Sequence, residues 1–126
     1  MTRTVLVVEN EEPCIELLEV ALQGIEGVDV LVANNGREAL RILESAKGGV
    51  SAMITDLEMP IMDGFALLES VKGRFPVVVI SADVDPETPA RVRSLGASAF
   101  FSKPYSPAQL RQTIQRLLEV RGDDPI

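Results

Sequence analysis

The side chains that could do chemistry fall just after the apolar runs of this chain. Glu9-Asn10-Glu11 follows "VLVV" at residues 5–8, and Asp56-Leu57-Glu58 follows the run that ends at Thr55. Ser81-Ala82-Asp83 follows "VVVI", and Lys103-Pro104 follows "AFFS". Carboxylates, one hydroxyl and one ammonium are therefore the available groups. The chain has no histidine, which excludes Ser-His-Asp catalysis, imidazole metal ligation and phosphohistidine chemistry within it. Two carboxylates about 4 Å apart repel by ~4 kcal/mol at an effective dielectric near 20, and a single lysine is too little counter-charge for such a cluster. A hard divalent cation such as Mg²⁺, taking a few carboxylate oxygens and keeping several waters, balances the charge and leaves positions open for phosphate. The residue types thus point to phosphoryl chemistry.

These groups meet only if the runs ahead of them are strands ending at one rim. Apolar, β-branched segments at Thr4–Val8, Val28–Ala33, Val50–Thr55, Pro76–Ser81 and Ala97–Ser102 alternate with stretches of helical period. That alternation indicates a parallel sheet, whose ligands bind outside the carboxyl ends of the strands. The unbroken Val77–Ile80 run suits an interior strand covered on both faces. Ile15, Leu18 and Leu22 form one helical stripe, and Leu110, Ile114, Leu117 and Leu118 form another. Asn35-Gly36 precedes a helix over Arg37–Ala46 closed by Gly48-Gly49, and Asp63-Gly64 opens one over Phe65–Lys72. Pro86 and Pro89 restrict the start of a further helix over Glu87–Leu95, where Val92 and Leu95 supply the apolar edge.

At 126 residues the chain has the size of one ordinary domain, expected over residues 1–121 with a tail or linker stub at 122–126. No apolar run approaches the roughly 20 residues of a membrane helix, so membrane insertion is not expected. A net charge of −7 repels a phosphate backbone and argues against direct nucleic-acid contact. One cysteine, Cys14, and no secretory pattern fit a reducing cytoplasm.

Taken in order, "VLVVENEEP", "ITDLEMPIMDG", "VVVISA" and "FFSKP" resemble the response-regulator receiver domain, similar to chemotaxis response regulators, over essentially residues 4 to 120. The resemblance implies a doubly wound, flavodoxin-like α/β fold with five parallel strands in the order 2-1-3-4-5 and five helices. It implies that Asp56 is the nucleophile that takes a phosphoryl group from a phosphohistidine of a sensor histidine kinase or phosphotransfer protein. Mg²⁺ would be held by Glu9, Asn10, Asp56 and the backbone carbonyl of Glu58. Ser81 and Lys103 would bind the phosphoryl oxygens, with Ser81 and Phe100 as the switch pair and a Lys103-Pro104 bond that is commonly cis. A downstream effector or fused output domain would read the changed surface. Such a domain is a signalling switch and an enzyme only through self-catalysed phosphoryl transfer and hydrolysis.

Asn10 departs from the pattern, because an acid is usual there and the amide carries no charge. Mg²⁺ affinity should fall, and an alternative follows in which the chain is a pseudo-receiver used for docking without phosphorylation. A haloacid-dehalogenase-like phosphatase would want a second Asp two residues after Asp56, where this chain has Glu58. Glu11 and Glu12 read as first-turn helix charges around Pro13, and Cys14 as a small buried hydrophobe. Phe100 and Phe101 point to opposite faces of the sheet. Glu58 and Asp83 flank the phosphoryl position and could aim or repel a hydrolytic water.

Overall fold

A computed structural model describes residues 2–45 and 49–122. Ala46 and Gly48, placed by sequence at the end of the second helix, and residues 123–126 of the expected tail lie outside the described residues. The elements are β1 (Arg3–Val8), α1 (Glu12–Gln23), β2 (Val28–Ala33), α2 (Gly36–Ser45), β3 (Ala52–Asp56), α3 (Gly64–Val71), β4 (Val77–Ser81), α4 (Thr88–Ser94), β5 (Ala99–Ser102) and α5 (Pro107–Gly122). The strands form one parallel sheet in the order β2-β1-β3-β4-β5. Fold class, strand order and helix number are those expected, and α5 runs one residue past the expected boundary at 121.

The interior strands are apolar on both faces because both faces are covered. In β1, Val5 and Val7 point into a cluster with Leu18, Leu22, Leu110 and Ile114 of α1 and α5. Leu6 and Val8 point the other way, against Leu67, Leu68 and Val71 of α3. The alternation repeats in β4, where Val78 and Ile80 join the first cluster and Val77 and Val79 the second. Each fully buried Val or Leu contributes roughly 1.5–3 kcal/mol relative to exposure, so these two layers supply most of the driving force for folding. The edge strand β2 shows the contrast: Asp29 and Leu31 are exposed between partly covered valines.

Two turns place the chemistry. Asp63 caps α3 by accepting a hydrogen bond from the Ala66 amide at 2.9 Å, which fixes the helix start next to the end of β3. Gly64 is required there by close approach: a Cβ at this position would lie 2.4 Å from the Asp56 carbonyl oxygen and 2.8 Å from the Leu57 Cα. The helix after β4 differs from expectation at its buried edge. Thr88 and Val92 are the buried residues of α4, while Leu95 is partly buried beyond its end.

Candidate functional site

Register brings the strand ends side by side. Val8 pairs with Thr55, Asp56 with Ile80 and Ser81 with Ser102, so Glu9, Asp56, Ser81 and Lys103 all emerge on the carboxyl rim. At its centre Lys103 Nζ lies 3.0 Å from Asp56 Oδ2 and 3.2 Å from Glu9 Oε1. The Lys103-Pro104 peptide bond is cis.

Each carboxylate is held by backbone as well as by Lys103. Glu9 is fully buried, and its Oε2 accepts from the amides of Asn10 at 3.1 Å and Glu11 at 3.2 Å. Asp56 is 6% exposed, and its Oδ1 accepts from the Leu57 amide at 2.7 Å and, weakly, from that of Glu58 at 3.4 Å. Burial, and then the negative charge of Asp56, raise the Glu9 carboxyl above the usual carboxylate range despite Lys103. Burial alone would lower the lysine; its bonds to Asp56 and Glu9 outweigh that and hold Lys103 above the ordinary ammonium range. Two carboxylates and one ammonium leave one negative charge uncompensated at the rim.

Above this triad opens a cleft of about 320 Å³ lined by Asn10, Glu11, Cys14, Asp56, Glu58, Ala82 and Lys103. Its walls are rich in hard oxygen donors, and Asn10 and Glu58 are exposed where solvent waters can complete a coordination sphere. That donor set fits Mg²⁺. Glu9 supplies its charge from behind the cleft rather than from its wall. Glu9, Glu11 and Cys14 also bring potential ligand atoms within 4.8 Å of one another.

One residue is placed differently from the sequence reading. Cys14 is half-buried, not a core hydrophobe: it sits in the first turn of α1, and its Sγ lies 3.8 Å from Lys103 Nζ. Glu11, read as a helix-end charge, is the N-cap of α1; its side chain makes no cap bond and also lines the cleft. The signal was present in the chain order, because the first turn after β1 must cross the same rim as the strand end. Ser81 is fully buried at the end of β4, where its Oγ accepts from the Asp83 amide at 3.0 Å. Phe100 lies outside the cleft, half-buried against the cluster that holds Val79 and Val92, while Phe101 packs on the opposite face of the sheet. Sequence reasoning missed Thr88, whose hydroxyl donates to Asp83 Oδ2 at 2.9 Å.

The chain is similar to known proteins. The family model of the response regulator receiver domain matches residues 5–115. The response regulator GtcR of Aneurinibacillus migulanus is 31% identical over 120 residues, covering 94% of this chain and 48% of its own length. The chain thus spans less than half the length of the curated relatives it matches. Among solved structures, the signal receiver domain of a signal transduction histidine kinase from Syntrophus aciditrophicus superposes with a TM-score of 0.84 at 31% identity. The match covers 99% of this chain and 95% of that one. The chemotaxis response regulator CheY4 of Vibrio cholerae superposes with a TM-score of 0.80 at 28% identity, covering 93% of this chain and 99% of that one.

Proposed function

The chain belongs to the response regulator receiver family, and on that premise we propose that it is a phosphorylation-dependent switch whose phospho-acceptor is Asp56. The observation that carries this reading is the Asp56 carboxylate, pinned between the Leu57 amide and Lys103 Nζ at the floor of an open, oxygen-lined cleft. Two donors fix the carboxylate plane and leave the reacting oxygen no rotamer search, so attack begins from a positioned group.

In the reaction, an Asp56 oxygen attacks the phosphorus of a phosphohistidine on a sensor histidine kinase or phosphotransfer protein. The new P–O bond forms as the P–N bond breaks, and the electron pair returns to the imidazole, which takes a proton. Charge moves from the carboxylate to the phosphoryl oxygens, and Lys103 follows it. The Ser81 hydroxyl offers a second donor. Asp56, the Asn10 side-chain carbonyl and the Glu58 backbone carbonyl would hold Mg²⁺, with the Glu9 charge behind them, and the ion would supply neutralisation of phosphoryl charge. Residues 1–121 are the switch unit, working in the cytoplasm. A downstream effector or fused output domain reads the surface of α4, β5 and α5, where Phe100 is the switch aromatic. The unit is a signalling switch rather than a classical enzyme.

One observation favours a second reading, a pseudo-receiver that docks without phosphorylation: residue 10 is an uncharged amide on the cleft wall. Intact mass after incubation with acetyl phosphate and Mg²⁺ separates the two. Gain of one phosphoryl group supports the switch, no gain at any Mg²⁺ concentration supports the docking module, and turnover of many equivalents indicates a phosphatase.

A further inference from the structure

The helix after β4 has an unusual anchorage. α4 has only seven residues, and its N-cap, Glu87, makes no side-chain cap bond. Its N-terminal end is held instead by the loop that leads to it. Asp85 Oδ1 accepts from the Glu87 amide at 2.9 Å, and Asp83 Oδ1 accepts from the Asp85 amide at 2.8 Å. The other Asp83 oxygen accepts from the Thr88 hydroxyl, a side chain that is 5% exposed and lies in the first turn of α4. The Asp83 amide in turn donates to Ser81 Oγ, which is fully buried at the phosphoryl rim. These bonds form one unbroken path from Ser81 through both ends of Asp83 to Thr88. The bond from the Asp85 amide, and then that from the Thr88 hydroxyl, favour the charged carboxylate and hold the Asp83 carboxyl below its ordinary range.

We infer that Asp83 and Thr88 are positioning residues that make the first turn of α4 report where the Ser81 hydroxyl points. The inference rests on the reading of Asp56 as phospho-acceptor and of Ser81 as its neighbour in the switch. When the Ser81 oxygen turns toward a phosphoryl group, the Asp83 amide loses its acceptor. The Asp83 carboxylate must then move with its backbone, and Thr88 either follows or leaves its hydroxyl unpaired in a buried site, which is costly. The other anchors of α4 are the Thr88 amide, which donates to the Asp85 carbonyl at 3.1 Å within the same loop, Val92, its one buried apolar side chain, and Arg91, which stacks on the Phe65 ring of α3 at 3.8 Å.

The test is a double-mutant cycle on the whole chain, read by amide hydrogen exchange over residues 86–95. In the unphosphorylated protein, Ser81→Ala and Thr88→Val should each speed exchange in the first turn of α4 by roughly three- to tenfold. The double variant should exchange no faster than Thr88→Val, because both changes cut one path. Thr88→Ser, which keeps the hydroxyl, should restore wild-type exchange and so separates the relay from a general loss of packing. Unchanged α4 exchange in Ser81→Ala, or effects that multiply in the double variant, would overturn the relay. With acetyl phosphate and Mg²⁺, Thr88→Val should gain the same phosphoryl mass as wild type but lose the phosphorylation-dependent change in α4. If wild type gains no mass, the proposed function fails, and the unphosphorylated cycle still decides the relay.

Discussion

Lys103 Nζ sits 3.0 Å from Asp56 Oδ2, across a rim that also buries Glu9 at 3.2 Å from the same ammonium. One cation thus serves two carboxylates, and only Asp56 among the pair lines the open cleft. On the proposed function, that access makes Asp56 the acceptor. Asp56→Asn should therefore gain no phosphoryl mass from acetyl phosphate under conditions where wild type gains one group. Wild-type mass gain in that variant would move the acceptor to another acid.

The same relationship predicts how Lys103→Ala unfolds. Removing the ammonium leaves Glu9 and Asp56 buried without a cation, and breaking a buried pair in this way costs about 3 kcal/mol. The loss should depend on pH with a definite sign. Burial and the Asp56 charge already raise the Glu9 carboxyl above its ordinary 4.5, so the folded state keeps that proton to higher pH than the unfolded state does. Ionising Glu9 then costs stability as pH climbs above 4.5, and losing Lys103 enlarges that cost. Urea midpoints should differ most between variant and wild type at pH 7, and the gap should narrow as pH falls toward 4.5 and Glu9 takes its proton in both, with Mg²⁺ also narrowing it at neutral pH. A pH-independent difference would show that Lys103 acts through packing instead.

Gly64→Ala addresses how the acceptor is positioned. The added methyl would meet the Asp56 carbonyl at 2.4 Å, a distance that only backbone movement relieves, and the Gly64 amide bonds the Leu57 carbonyl at 2.9 Å. Moving either shifts the acceptor strand end. The variant should lose about 2–4 kcal/mol of stability, in the range of overpacked cores and beyond, and its phosphorylation rate should fall even where it remains folded. Asp63→Ala, which removes only the α3 cap, should cost about 1 kcal/mol and leave the phosphorylation rate near wild type. Equal effects of both variants on rate would mean that α3 stability, not Asp56 placement, limits the reaction.

The contrast between these residues shows what the sequence could disclose. Fold class was legible because β1, β3 and β4 carry apolar runs, a pattern forced by coverage of both sheet faces, while the strand order came from the family resemblance. The acids and Lys103 were legible because they stand at the ends of those runs, where chain order and site geometry coincide. Cys14 and Thr88 were not read there, since each lies in the first turn of a helix and reaches the rim or its loop by local backbone direction rather than by period. The burial of Glu9 was hidden for another reason: a charge at a strand end looks solvated until Lys103, 94 positions along the chain, is seen beside it.

Residue 10 offers the sharpest test of the metal. Asn10 lines the cleft with Asp56 and Glu58, and its amide nitrogen of the backbone already bonds Glu9, so its side chain is the adjustable part of the pocket. Asn10→Asp adds a negative charge to a rim that carries one uncompensated charge already. Without metal, the added repulsion should lower the thermal midpoint. With Mg²⁺, a doubly charged ion gains more from the new carboxylate than the neighbours lose, and affinity should rise by about tenfold or more, since ~1.4 kcal/mol suffices for each factor of ten. The thermal midpoint of the variant should therefore climb steeply with Mg²⁺, while that of wild type climbs weakly, and the variant should reach full phosphorylation at lower Mg²⁺. Titrating both proteins while following midpoint and phosphoryl mass reads the two effects separately. Coincident Mg²⁺ curves for midpoint would place residue 10 outside the metal site, whatever the phosphorylation yields.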